Sequence, residues 1–278
     1  MGGFGPLVSG PWLEEHLGEA DLRVIDFRWY LDGRSGRAAY DSGHVRGAVF
    51  VDLDRDVTGG RSGQGRHPLP TREAFQRAMR AAGVDRDSRV VVYDDQGGFA
   101  AGRLWWLLRY FGHDAVAVLD GGLQAWPGPL TAEPAAVRPG DFVAAAPRPA
   151  AALEYEEVRA LVGDAVLLDA RAPERYRGEV EPLDPKAGHI PGARSAPWQE
   201  NLDERQRFLS PEQMRRRFEA LGVVDGGAVV AYCGSGVSAC HHLLALEVAG
   251  LPGGRLYAGS WSDWSRREGA PVATGAEA

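Results

Sequence analysis

The sequence predicts an α/β protein built twice over, each copy a mostly parallel sheet flanked by helices. Three observations predict it. Four motifs recur in the same order at an offset of about 140 residues, the length of a duplicated domain and far too long for a solenoid unit. Within each copy, continuous apolar runs of strand length alternate with helical patterns, as in sheets covered on both faces. The composition is globular, 44% hydrophobic and 25% charged, and 278 residues suffice for two domains of ordinary size.

In chain order, Val24 to Arg28 recurs as Leu167 to Arg171, both ending in Asp-x-Arg. Gly43-His44 to Ala48 recurs as Gly188-His189 to Ala193. A helix is expected over Thr71 to Ala82, then a strand over Arg89 to Tyr93; their counterparts are a helix over Pro211 to Leu221, capped by Ser210, and a strand over Ala228 to Tyr232. A further helix should run from about Ser238 to Ala249, with Leu243, Leu244 and Leu246 facing the core and Gly250 as its stop. Leu119 to Trp126 answers to Tyr257 to Trp264. The stretch between the copies is rich in Pro and Ala and reads as a linker. The expected domains are therefore 1–130 and 151–278, joined by 131–150.

Bulk numbers narrow the function. A net charge of −7 argues against nucleic acid as a partner, since phosphate contacts need a basic face. No apolar run approaches the roughly 20 residues of a membrane span, and the N-terminus lacks the pattern of a signal peptide, so a cytoplasmic protein is expected. Two cysteines are too few for a disulfide framework, and without a Cys/His cluster a structural zinc is not expected.

In parallel sheets, ligands sit beyond the carboxyl ends of strands, which directs attention to the residues after Tyr93 and Tyr232. The two loops differ. After Tyr232 come Cys233, Gly234, Ser235, Gly236, Val237 and Ser238, then a helix; after Tyr93 comes Asp94 where the cysteine would be. A cysteine at a strand end, followed by glycines and a helix N-terminus, has surroundings that favour a thiolate: the loop can curl its N–H groups onto one atom and the helix dipole adds positive potential. The same donors suit a persulfide. Asp94 cannot do this chemistry, so the first copy should be catalytically silent, and removing Asp94 is expected to leave turnover nearly unchanged.

On these motifs the chain resembles the tandem-domain rhodanese family, which includes thiosulfate sulfurtransferase and 3-mercaptopyruvate sulfurtransferase, over about residues 8 to 270. The loop from Cys233 to Ser238 is similar to that of the mercaptopyruvate branch, whereas thiosulfate-preferring members usually carry basic residues where this chain has Gly234 and Ser235. The resemblance implies sulfur transfer through a Cys233 persulfide, with the backbone of Gly234, Gly236, Val237 and Ser238 around the sulfur. It implies no cofactor, a small anionic sulfur donor, and a thiophilic acceptor such as cyanide, a thiol or thioredoxin, in a monomer or weak dimer. It also implies that Arg175 binds the donor's anionic group, a task suited to a guanidinium fork. A second arginine common in the mercaptopyruvate branch is missing, or replaced by Lys186. His67 resembles a family histidine of the N-terminal domain that faces a cleft between domains. With Ser235 and an aspartate, Asp52 or else Asp54, it would form a hydroxyl–imidazole–carboxylate relay.

Other residues read as structural. His44 and His189 occur in both copies, the silent one included; Cys240 falls within the helix after the loop; Arg177 reads as surface. Two other functions compete. The spacing of Gly234, Gly236 and Ala239 formally matches a dinucleotide fingerprint, but lies too late in its unit and lacks the acidic residue that holds a ribose. A cysteine phosphatase needs a longer loop closed by an arginine, and no arginine follows until Arg255. A non-catalytic binding module would have no evident need for an intact Cys233 loop beside a degenerate Asp94 loop.

Overall fold

A computed structural model describes residues 4–60 and 65–277 and divides the chain into two compact units. Unit 1 comprises Met1–Gly59, Pro70–Pro147 and Glu204–Phe208; unit 2 comprises Gly60–Leu69, Arg148–Asp203 and Leu209–Ala278.

In unit 1 the strands are β1 (Leu7–Val8), β2 (Leu22–Asp26), β3 (His44–Val45), β4 (Val49–Phe50), β5 (Arg89–Tyr93), β6 (Val116–Leu119) and β7 (Leu130–Thr131). Five of them form a parallel sheet in the order β1-β6-β5-β2-β4, while β3 and β7 pair separately and antiparallel. Its helices are α1 (Gly10–His16), α2 (Gly36–Ser42), α3 (Leu53–Asp56), α4 (Arg72–Ala81) and α5 (Ala101–Tyr110). Thr71 caps α4 by accepting from the Ala74 amide, and Phe75 and Met79 bury its apolar face, one turn apart as helical periodicity requires.

Unit 2 repeats the plan with β8 (Ala152–Leu153), β9 (Val166–Asp169), β10 (Arg194–Ser195), β11 (Val229–Tyr232) and β12 (Arg255–Tyr257) in the parallel order β10-β9-β11-β12-β8. Its helices are α6 (Tyr155–Leu161), α7 (Pro173–Tyr176), α8 (Pro211–Ala220), α9 (Ala239–Val248) and α10 (Ser260–Trp264). Ser210 and Gln213 form a reciprocal capping box on α8. In both units the strand before the distinctive loop is central and fully covered, which is why β5 and β11 read as unbroken apolar runs rather than alternating ones.

The repeated motifs hold each sheet together. Asp26 and Arg28 form a buried two-pronged ion pair, as do Asp169 and Arg171, and each arginine also donates to the carbonyl opening the Gly-His motif, Gly43 at 2.8 Å and Gly188 at 2.6 Å. His44 stacks on Tyr40 and His189 on Tyr176, each with Nδ1 bonded to that tyrosine's carbonyl. Both histidines are structural, as their presence in both copies suggested.

The domain boundaries differ from those expected. Most of the Pro/Ala-rich stretch belongs to unit 1: the amides of Gly140, Phe142 and Ala145 donate to the carbonyls of Arg80, Val84 and Phe111, and the Phe142 ring packs edge-on against Phe75. Burial of that single ring makes a strap of what composition alone presents as a linker. Residues 60–69 lie in unit 2 although they precede most of unit 1 in the chain, and 204–208 lie in unit 1.

Helix α9 is buried on all sides through Leu246, including Cys240, His241 and His242. Asn201 donates from Nδ2 toward Nδ1 of both histidines at 3.0 Å, and His242 Nε2 bonds to the Ala196 carbonyl at 2.6 Å. Burial first, then the charge of Arg217 and the neighbouring His241, hold the His242 imidazole well below its ordinary value of about 6.5. Below that pH the unfolded chain takes a proton at this site that the folded chain refuses, so stability is lost as pH falls, by at most about 1.4 kcal/mol per pH unit from one proton. Urea midpoints measured between pH 7.5 and 5.5 should fall, and His242→Gln should flatten that slope. An unchanged slope would assign the acid sensitivity elsewhere. No helix among the described residues is long and apolar enough to cross a membrane.

Candidate active site

The cysteine loop caps the carboxyl end of β11. Its curl requires glycine at Gly236, where φ is +80° and a Cβ would stand 2.7 Å from the Ala258 carbonyl oxygen. The turn aims two amides at the Cys233 sulfur, Gly236 at 3.1 Å and Ser235 at 3.4 Å. Val237 and Ser238 complete the turn and are buried, and the Cys240 thiol, one helical turn on, donates to the Gly236 carbonyl at 3.3 Å. Cys240 thus braces the loop, and Cys233 itself is 2% exposed. A sulfur held against backbone N–H groups at a helix start can carry negative charge, on itself or on a second sulfur bonded to it.

The motif after β12 supports this loop in a way the sequence reading missed. The Trp261 amide donates to the Cys233 carbonyl and the Ser262 amide to the Gly234 carbonyl, both at 2.9 Å. Ser260 accepts from the Cys233 amide at 3.1 Å and donates to the Tyr257 carbonyl at 2.9 Å. It does so from φ +52°, a conformation uncommon for a serine, whose strain is of order 1 kcal/mol. The matching position in unit 1 is Gly122, at φ +60°. The change from glycine to serine between the copies was the available signal, since only the serine has a hydroxyl to give the Cys233 amide.

The segment from Gly65 to His67 lies against the same motif within unit 2. A Cβ on Gly65 (φ +79°) would meet the Gly259 carbonyl oxygen at 2.6 Å, and the Arg66 amide donates to the Ser262 hydroxyl at 3.1 Å. His67 is thereby set with Nδ1 2.7 Å from the Ser235 hydroxyl, both groups buried. The expected pairing of these two is present, but His67 belongs to the cysteine's own unit rather than to the N-terminal one. Asp52 lies in unit 1, where its carboxylate caps α3 by accepting from the amides of Asp54 and Arg55 at 3.0 Å. That duty at a helix end accounts for an aspartate at this position without a relay.

Arg175 stands beside the loop, 14% exposed, its Nη2 bonded to Glu181 at 2.7 Å. Arg66, which the sequence reading passed over, reaches the same place: its Nη1 is paired with the buried Asp184. Lys186 does not substitute there, since its ammonium donates to the Arg267 carbonyl. Arg177 is paired with Glu179 at the surface.

Unit 1 has a different occupant in the equivalent loop. The Asp94 carboxylate is fully buried and accepts four backbone N–H bonds, from Gln96 and Gly98 at 2.9 Å to one oxygen, and from Ala100 at 2.8 Å and Ala101 at 2.9 Å to the other. Burial pushes its carboxyl up, and those bonds oppose the shift. In unit 1 the chain's own carboxyl group therefore fills the loop.

Comparison with known proteins finds the same repeat. The model of the Rhodanese-like domain matches residues 9–128 and again 154–267. A probable 3-mercaptopyruvate sulfurtransferase from Pseudomonas aeruginosa is 47% identical, covering 97% of this chain and 98% of its own length. A putative thiosulfate sulfurtransferase from Mycobacterium tuberculosis is 40% identical over 91% of each chain. Among solved structures, 3-mercaptopyruvate sulfurtransferase from Leishmania major superposes with a TM-score of 0.83 at 30% identity, covering 95% of this chain and 75% of that one.

Proposed function

The chain belongs to the rhodanese family of sulfurtransferases, and on that premise we propose that it moves sulfur from 3-mercaptopyruvate through a persulfide on Cys233 to a thiophilic acceptor. One observation carries the reading: the Cys233 sulfur faces the amides of Ser235 and Gly236 while the hydroxyl of Ser235 is bonded to His67.

In the first half-reaction the Cys233 thiolate attacks the donor's sulfur. The S–S bond forms, the donor's C–S bond breaks, and its electron pair leaves on carbon as the enolate of pyruvate. The proton carried by the donor thiol neutralises that carbon, and the Ser235–His67 pair is placed to move it. The persulfide's outer sulfur then bears the charge, against the loop amides. In the second half-reaction cyanide, a thiol or reduced thioredoxin attacks the outer sulfur, the S–S bond breaks, and the Cys233 thiolate returns. This is covalent catalysis with ping-pong kinetics. Thiosulfate is the second donor to weigh, because a relative at 40% identity carries that name. Neutral Gly234 and Ser235 in the loop favour mercaptopyruvate.

Intact-mass measurement of the full chain after incubation with 3-mercaptopyruvate should show a gain of one sulfur that cyanide removes. Comparison of kcat/KM for the two donors should favour mercaptopyruvate. A tenfold preference for thiosulfate would overturn the donor assignment, and absence of the adduct with either donor would overturn the mechanism.

A further inference from the structure

Strands β11 and β12 keep parallel register as far as Ala231 and Leu256 and then part, and Cys233 stands at the parting. One side chain spans the gap. The Ser260 hydroxyl accepts from the Cys233 amide at 3.1 Å and donates to the Tyr257 carbonyl at 2.9 Å, so it ties the residue after β11 to the last residue of β12. The Trp261 amide donates to the Cys233 carbonyl. With amide and carbonyl both fixed, Cys233 has little freedom to turn its sulfur away from the Ser235 and Gly236 amides. Trp261 and Ser262 hold the loop through backbone N–H groups that any residue but proline would supply. Ser260 acts on the loop through its side chain.

That side chain sits on an unfavourable backbone. Among the described residues, three other than glycine have positive φ, namely Ala150, Gln206 and Ser260, and of these only Ser260 is buried. A fold with no use for the hydroxyl would place glycine there, as unit 1 does at Gly122. Nor would a serine fit in unit 1, where a Cβ on Gly122 would stand 2.6 Å from the Asp94 carbonyl oxygen. The serine and the space for it therefore occur in the unit whose loop carries a cysteine, and neither occurs in the unit whose loop carries an aspartate.

We infer that Ser260 is a positioning residue of sulfur transfer: its hydroxyl pins the Cys233 amide and so keeps the sulfur against the amides of Ser235 and Gly236. The inference deepens the persulfide reading and rests on it for its bearing on turnover. Ser260 is fully buried, so its loss acts through Cys233 and should weaken every reaction of that sulfur by a similar factor, whichever donor is offered.

Two variants of the full chain separate the hydroxyl from the backbone. Ser260→Gly removes the hydroxyl and relieves the strain, whereas Ser260→Ala removes the hydroxyl and keeps the strain. The measurements are the thermal melt, the rate of Cys233 alkylation by iodoacetamide at fixed pH, and kcat/KM for 3-mercaptopyruvate and for thiosulfate with cyanide as acceptor. Iodoacetamide is neutral and needs no donor site, so it reads the sulfur alone. Alkylation and both kcat/KM values should fall by about ten- to a hundredfold, to a similar extent in the two variants. Ser260→Ala should nevertheless melt below Ser260→Gly, so that reactivity follows the hydroxyl and stability follows the backbone. If Ser260 merely held the fold, reactivity would follow the melts instead. Ser260→Gly would keep nearly wild-type rates, and loosening in Ser260→Ala would expose the buried thiol and speed its alkylation; either result overturns the inference. Should Ser260→Ala fail to fold, an alkylation rate in Ser260→Gly equal to that of the wild type overturns it alone. A fall in kcat/KM for one donor only would place Ser260 in donor recognition and overturn it too. Wild-type protein that forms no persulfide with either donor defeats the functional reading, while slowed alkylation in both variants still supports the positioning of the thiol.

Discussion

Cys233→Ser is expected to lower sulfur transfer by at least about 10³-fold while leaving the fold in place. Serine is close in size, and its oxygen can take the Ser235 and Gly236 amides that now face sulfur, so the loop keeps its donors satisfied. What is lost is the ionisable, polarisable nucleophile: a hydroxyl stays protonated at neutral pH and cannot carry a sulfane sulfur. The other cysteine cannot take over, because the Cys240 thiol is buried and bonded to the Gly236 carbonyl. Steady-state rates with cyanide, together with a thermal melt, check both halves of the expectation. Transfer retained above a tenth of the wild-type rate would move the persulfide away from Cys233.

Asp94→Ala is expected to destabilise unit 1 by about 3–5 kcal/mol, because three buried N–H groups and one half-buried one lose the carboxylate they share at once. Reading the loop as a vacant catalytic position suggests a neutral substitution, and chemically it is one, since Asp94 reacts with nothing. Its stabilising role is visible only once the amides are seen to converge on it. Urea unfolding of the full chain should show the loss as an earlier transition, with turnover per folded molecule close to that of the wild type. A midpoint within experimental error of the wild type would mean that the loop rearranges to satisfy its amides in another way.

Much of the fold was legible because its signals are local. Strands β5 and β11, helices α4, α8 and α9, and the caps Thr71 and Ser210 follow from periodicity and side-chain chemistry within a few residues. The Cys233 loop was legible for the same reason, and comparing it with Asp94 showed that the two copies carry different residues at the same strand end. The parts that were not legible depend on contacts distant in sequence. Arg66 and Asp184 lie 118 residues apart, and His67 and Ser235 lie 168 apart. Nothing near Arg66 in the chain marks it as different from other surface arginines. The strap around Phe142 is hidden by its Pro- and Ala-rich neighbours, because composition reports an average and burial of one ring decides the outcome.

The placement of residues 60–69 in unit 2 bears on how this protein can be taken apart. Arg66 and His67 enter the chain before most of unit 1 has been spelled out, whereas Cys233 comes near its end. A single continuous fragment that retains all three must carry residues 70–147, so it must carry the bulk of unit 1 as well. Severing the chain midway between its two repeats would therefore give a half with Cys233 but without Arg66 and His67. Deletion, domain shuffling and transplantation all operate on contiguous stretches, so none of them lifts out unit 2 whole and alone.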